Sequence, residues 1–168
     1  KKNIEKMGIS NIELRLCDGL SGIGENEADT IVIAGMGGEV ISGILERSMS
    51  FCENRELTFI FQPTTSPEAL RHFLCLNGFL IEKEIPVFEN DKLYSVMLVR
   101  FDGKKKNYNE AFYFIGLVPK DTEAGILYIE KQKMRCFKCF SAMENLSDKH
   151  NEYLRYKTAY LEIDKAME

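Results

Sequence analysis

Gly35-Met36-Gly37-Gly38 carries the strongest chemical signal in the chain, because it breaks the β-branched run Ile31-Val32-Ile33 and precedes a helical stripe of Val40, Ile41, Ile44 and Leu45. Glycines at the carboxyl end of a strand let the backbone approach a ligand with no Cβ in the way. The following helix aims its unpaired N–H groups and the positive end of its dipole at the same place. Ala34 to Gly38 is therefore a candidate ligand floor. The stretch starts like a dinucleotide fingerprint, but the third glycine is missing and Gln62-Pro63 stands where an acidic residue should end the next strand. The Lys-Ser/Thr pair of a phosphate-binding loop is missing too. A tight turn without a ligand stays an alternative.

Two further groups have types and positions suited to binding. Asp18-Gly19-Leu20 follows the alternation Ile12, Leu14, Leu16. A carboxylate at a strand's carboxyl end suits an adenine amino group or a ribose hydroxyl, and equally a plain turn. Phe79 to Phe88 and Lys92 to Val99 read as an antiparallel hairpin around Glu89-Asn90-Asp91. If its first strand runs parallel to the strands before it, the tip shares an edge with the glycines, and Glu89, Lys92 and Tyr94 face a substrate. An exposed tip without a ligand is the competing reading.

The elements that must position these residues form an α/β pattern. Ile31 to Ile33 suit a central parallel strand covered on both faces. Leu57 to Phe61 reads as another buried strand. Ser66 is placed as an N-cap with Pro67 at the first helical position, Leu70, Phe73 and Leu74 as the apolar face, and Asn77-Gly78 as the stop. Residues 12–17 read as a strand. Lys1 to Met7 reads as the last turns of a helix ended by Gly8, which implies a chain that begins inside a larger protein. Beyond Asp121, Ile129, Cys136 and Met143, then Leu146, Tyr153, Tyr160 and Met167, recur every seven residues. That spacing predicts two long helices packed as a hairpin with a break near Asn145 to Asp148, or one continuous helix.

Composition sets the class. The 168 residues are 45% apolar and 29% charged, ordinary for one globular domain or one domain with an appendage. No apolar run is long enough to span a bilayer and no signal-peptide pattern opens the chain, so the cytoplasm is the expected compartment. Five cysteines, with Cys17, Cys52 and Cys75 in apolar runs, read as reduced core residues. Cys136 and Cys139 lie in a helical pattern without a second ligand pair, and no metal is expected. The net charge of −4 argues against a generally basic nucleic-acid binder. It is uneven, however. Residues 1–100 hold 10 basic and 15 acidic side chains, whereas 101–168 hold 12 and 11. Lys104 to Lys106 and Lys131, Lys133, Arg135 and Lys138 form local clusters that suit phosphate or a solvated surface.

A strand ending in Asp18-Gly19-Leu20, a strand running into Ala34-Gly35-Met36-Gly37-Gly38, a strand ending in Gln62-Pro63, a helix and an antiparallel hairpin together resemble the second half of a class I S-adenosylmethionine-dependent methyltransferase. More narrowly, Asp29 to Gly38, Gln62-Pro63 with Leu70-Arg71, Gly78-Phe79 and Glu89 to Tyr94 resemble the bacterial tRNA (adenine-22-N1)-methyltransferase family, which carries a coiled-coil-like helical hairpin after its catalytic domain. The resemblance covers nearly the whole chain. It implies a partial Rossmann-like sheet over residues 1–118, as the carboxyl-terminal part of the catalytic domain, and a helical hairpin over 119–168.

The resemblance implies S-adenosyl-L-methionine as donor, with Asp18, Gly19 and Leu20 beside its adenine ring and Ala34 to Gly38 near its methionine end and the target base. Adenine N1 carries a lone pair, so positioning matters more than a strong base. Met36 packs on the base or into the core, and Gln62 bonds the adenine edge or caps the loop. The partner implied is tRNA, its phosphates held by the basic residues of the tail. The family's first two strands and its main donor-binding loop should precede residue 1. The chain as given is therefore expected to bind the donor poorly and not to catalyse. An exposed sheet edge would make it self-associate, or let strand 12–17 pair directly beside strand 30–34. A different acceptor, or an interaction module without catalysis, are the other readings.

Overall fold

The computed structural model describes residues 6–8, 10–90 and 92–167. Strands β1 (Thr30–Gly37), β2 (Thr58–Thr65), β3 (Phe79–Glu89) and β4 (Lys92–Phe101) form one sheet in the order β1-β2-β4-β3. β1 and β2 are parallel, and β4 is antiparallel to both β2 and β3. β3 therefore runs with β1 and β2. The hairpin tip, where Glu89 stands opposite Lys92, shares an edge with the carboxyl ends of β1 and β2. Asp91 of that tip lies outside the described residues.

Helices α1 (Gly38–Arg47), α2 (Met49–Cys52) and α3 (Pro67–Leu76) follow the first two strands. Ile41, Leu45, Leu70 and Leu74 pack with Phe59, Phe61, Phe79, Met97 and Val99 into the main core. Each such side chain contributes about 1.5–3 kcal/mol by leaving water. The strands alternate as a sheet covered on one face does. Ile31 and Ile33 are buried, yet Val32 between them is 63% exposed. The expectation of a central strand covered on both faces is thus corrected: β1 is an edge strand here, and its β-branched run reports strand propensity, not two-sided burial.

Residues 12–17 enter no ladder, contrary to the strand expected there, and do not pair beside β1. Ile12, Leu14 and Leu16 are exposed. Arg15 instead ties this segment to Glu13, at 2.6 Å, and to Glu27. Alternation supplied the period of a strand, but a strand also needs a neighbour that takes its backbone hydrogen bonds. Cys17, expected in the core, is exposed for the same reason. The helical turns expected over Lys1 to Met7 fall largely outside the described residues.

Beyond the sheet, α4 (Glu110–Ile115) is a short helix whose N-cap Asn109 accepts from the Phe112 N–H at 3.0 Å. α5 (Glu123–Met143) and α6 (His150–Met167) pack on each other, joined through a short 3₁₀ turn at Ser147–Lys149. The hairpin is therefore real and the continuous helix is excluded. The sevenfold register holds on α5, where Ile129 and Cys136 are buried, but slips on α6. There Ala159 and Ile163 form the buried seam with Tyr156, because α4 inserts Ala111, Phe114 and Ile115 into the same cluster. Among the described residues no helix is long and apolar enough to cross a membrane.

Candidate active site

The carboxyl edge gathers the glycine stretch, the exit of β2 and the hairpin. β1 continues past Ala34 to Gly37 through two irregularities in its register with β2, so the expected turn is a bulged strand end. Gly35 sits at φ 78°, and a Cβ built on it would meet nothing within 4 Å. That is a bare backbone facing open space. Gly38 is the opposite case, since a Cβ there would lie 2.1 Å from the Ser66 carbonyl oxygen. Its role is to let the first turns of α1 and α3 meet.

Gln62 pins the bulge, because its Oε1 accepts from the Gly35 N–H at 2.9 Å. Of the two roles open to Gln62, the structure displays loop capping. Met36 is 43% exposed, so it is not a core methionine. It lines, with Gly19, Leu20, Ile31, Ile33 and Ile44, an open apolar groove of about 410 Å³ along β1. Asp18 is exposed and pairs with Arg47 at 3.3 Å. Ser66 occupies the N-cap position of α3 at φ 48°, but its side chain makes no capping bond, which corrects the expected cap. Its carbonyl accepts from the Ala69 and Leu70 N–H groups instead.

A second cavity of about 280 Å³ opens between the exit of β2, the start of β4 and α5. Pro63 to Pro67, Leu93 to Ser95, Tyr128, Lys131, Gln132 and Arg135 line it. Tyr94, Lys131 and Arg135 thus meet in one place. Glu89 and Lys92 stay at the exposed tip, and Lys133 and Lys138 lie off this wall. Lys131 donates its ammonium to the Leu93 carbonyl at 2.8 Å. Partial burial and the Arg135 charge lower its pKa. Arg135 is committed to Glu68 through bonds of 2.6 and 2.8 Å, and Lys133 is paired with Asp164. Burial alone would raise the Glu68 pKa, but the hydrogen bond and charge of Arg135 bring it below the ordinary value. The hydrogen bond to Glu68 in turn raises the pKa of Arg135 against the effect of burial.

Behind the cavity lies a group that sequence reasoning left without a role. Arg71, fully buried, reaches Glu84 at 2.7 and 3.0 Å, the Tyr113 and Phe114 carbonyls at 2.8 and 2.9 Å, Tyr128 Oη at 3.0 Å and Ser95 Oγ at 3.2 Å. Burial opposes its charge, yet Glu84 and Tyr128 hold its pKa above the usual arginine value. One guanidinium thereby joins α3, β3, β4, α4 and α5. The signal available was an arginine within an apolar helical stripe, which needs a carboxylate partner if it is buried. Cys136 is a core thiol pushed up to about 12 by burial, and all five cysteines are free.

A mixed sheet with parallel β1, β2 and β3, helices on one face, a glycine-bearing carboxyl edge and a terminal antiparallel hairpin defines a Rossmann-like methyltransferase fold. The chain belongs to the methyltransferase-domain family, whose model, described as "Methyltransferase domain", matches residues 1–97. The tRNA (adenine(22)-N(1))-methyltransferase of Bacillus subtilis (strain 168) is 34% identical over 110 residues, which make up 65% of this chain and 46% of that protein. The chain thus spans about half the length of the curated relative it matches. Among solved structures, Streptococcus pneumoniae Sp1610, described as a putative tRNA (m1A22) methyltransferase in complex with S-adenosyl-L-methionine, is 25% identical with a TM-score of 0.76. It is matched over 99% of this chain and 74% of its own. The B. subtilis M1A22 tRNA methyltransferase TrmK is 24% identical with a TM-score of 0.72, over 99% of this chain and 72% of its own. The shared fold includes the helical tail.

Proposed function

We propose that the protein transfers a methyl group from S-adenosyl-L-methionine to N1 of adenine 22 in tRNA, in the cytoplasm, and that residues 1–118 belong to its catalytic domain and 119–168 to a helical hairpin that holds tRNA. The observation that carries this reading is the 34% identity to the B. subtilis enzyme over 110 residues. The geometry of the carboxyl edge supports it.

Gly35 fits a ligand at that edge, because its left-handed backbone has open space where a side chain would stand. Gly19 and Leu20 would hold the adenine end of the donor and Ala34 and Gly35 its methionine end, with Asp18 at the rim. When bound, the donor supplies an electrophilic methyl on a sulfonium. The lone pair of adenine N1 forms the new N–C bond as the S–C bond breaks, and the positive charge passes from sulfur to the adenine ring. No base is required. The chain's task is alignment of nucleophile and methyl, with Gln62 holding the Gly35 peptide in place and Met36 to Gly38 forming the edge at which donor and a base taken out of its stack meet.

The test is transfer of labelled methyl to unmodified tRNA by the intact protein, whether that is this 168-residue chain or a longer one that contains it. Methylation at N1 of adenine 22, lost when that position is guanine, is the expected result. Methylation at another position, or none by the intact protein, would overturn it.

A further inference from the structure

The cavity between β2, β4 and α5 has a side-chain amide on its wall, that of Gln132. Gln132 is only 5% exposed. Its Oε1 meets Arg135 Nη1 at 3.5 Å, the limit of a hydrogen bond. No buried side-chain nitrogen or oxygen among the described residues lacks a partner, so the amide nitrogen of Gln132, which makes no hydrogen bond to its neighbours, is an accessible donor on the cavity wall. An amide donor open to a cavity, with its acceptor oxygen beside it, can pair with a ligand of complementary edges. The remaining lining narrows the ligand's class. Pro63 and Pro67 offer apolar surface, Tyr94 a half-buried ring, and Lys131 a cation at the rim with donors left over after its bond to Leu93. Arg135 adds no free charge, since Glu68 takes it. At about 280 Å³ the cavity falls just under the range of about 300–1,000 Å³ that houses drug-sized ligands. One nucleobase with part of its sugar matches that size.

We propose that this cavity, whose wall residue Thr65 stands against Gly37 of the glycine stretch, is the acceptor-base subsite and that Gln132 selects adenine there. The inference rests on the proposed function and adds the specificity-determining residue, contributed by the helical tail. A glutamine amide pairs in bidentate fashion with adenine N6–H and N7. That pairing uses the edge opposite the Watson–Crick face and leaves N1 unencumbered for methylation. Guanine presents O6 in place of the amino group, which sets an acceptor against Oε1 and leaves the pair unmade. Tyr94 stacks on the base, and Lys131 meets the adjoining sugar or phosphate. Tyr128, fixed by Arg71 at 3.0 Å, forms the back of the cavity.

Two experiments separate this inference from the function it rests on. In the first, the 168-residue chain is titrated with AMP and with GMP while its side-chain amide and backbone resonances are followed by NMR. AMP is expected to shift the Gln132 amide and the Tyr94 backbone with at least tenfold tighter binding than GMP, and Gln132→Ala to abolish that preference. Equal response to both nucleotides, or shifts confined to residues outside the cavity, would overturn the proposal whether or not tRNA is methylated. In the second, the intact protein methylates tRNA carrying 7-deazaadenine at position 22, which lacks the N7 acceptor. The wild type should lose about fivefold or more in kcat/KM relative to adenine. Gln132→Ala should show no such difference, with Gln132→Glu as the second variant should the alanine protein fold poorly. A variant that still discriminates as the wild type does would sink the assignment of Gln132.

Discussion

At the scale of the residue, the glycines of the 35–38 stretch separate into different physical roles. Gly35 is left-handed with nothing where its Cβ would go, so Gly35→Ala costs the αL strain of an L residue, about 1–2 kcal/mol. Gly38→Ala must push the Ser66 carbonyl away from a contact of 2.1 Å, with Leu70 Cβ 3.2 Å from the new atom as well. The expected order in thermal melts is wild type above Gly35→Ala above Gly38→Ala. Methyl transfer should run differently. If the proposed function holds, Gly35→Val is expected to stay folded and lose at least about tenfold in methyl-transfer rate, since its branches enter the open space where the donor is proposed to lie. A Gly35→Val protein with wild-type activity would remove the cradle from the mechanism. This stretch was legible in the sequence because its glycines interrupt a β-branched run just ahead of a helical stripe. It could not divide the labour, because Gly38 is demanded by a carbonyl 28 positions away. Gln62 was likewise visible as a departure from a known fingerprint, and only three dimensions show its bond to Gly35.

At the scale of the element, local patterns were legible and partnerships were not. The cores of β1 to β4 follow from short β-branched and apolar runs, helices α1 and α3 from their apolar stripes and the Asn77-Gly78 stop, and the break before α6 from the sevenfold spacing on either side of it. Strand 12–17 failed because a period does not supply a neighbour. The seam of α6 moved because α4, signalled only by Asn109 ahead of a short apolar run, takes space in the helical cluster. The charge pairs that clamp α3, Arg71–Glu84 to β3 and Glu68–Arg135 to α5, were equally hidden, because each joins two separate elements. Arg71→Met leaves Glu84 buried and unpaired, and should cost about 3–5 kcal/mol in urea denaturation, part of it recovered by Arg71→Met with Glu84→Leu. The second clamp depends on pH. The folded-state pKa of Glu68 is lowered, because Arg135 outweighs the opposing effect of burial. Its contribution is therefore present above the unfolded carboxylate pKa of about 4.3 and is lost as pH falls through the lower folded value. Denaturation midpoints between pH 7 and pH 3 should fall less steeply for Glu68→Gln than for the wild type. Parallel profiles would show that the pair contributes nothing to holding α5 on α3.

At the scale of the whole molecule, charge and shape set how a polyanion can approach. The net charge of −4 gives no general attraction for a polyanion, so the proposed contact with tRNA would have to come from cations left over after the chain has paired its own. The tail's basic cluster shrinks on that account. Arg135 is held by Glu68, Lys133 by Asp164 and Arg155 by Glu110. Lys131 and Lys138 are left, seven residues apart on α5 and hence on nearly the same face, about 10.5 Å along the helix from each other. They form a short track that begins at the rim of the cavity holding Gln132 and leads away along the tail. A polyanion laid on it releases one counterion for each phosphate neutralised, so each free lysine adds about 0.7–0.9 to the slope of log affinity against log salt. Lys138→Ala should lower that slope by this amount without altering which nucleotide is methylated, because it lies off the cavity wall. Lys133→Ala removes a charge already neutralised by Asp164 and should leave the slope unchanged, though the uncovered carboxylate weakens binding at low salt. Affinities for unmodified tRNA measured from 50 to 200 mM salt distinguish the two. Equal slope changes for both variants would mean that the Lys133–Asp164 pair opens on binding, and that the track is wider than the free protein displays.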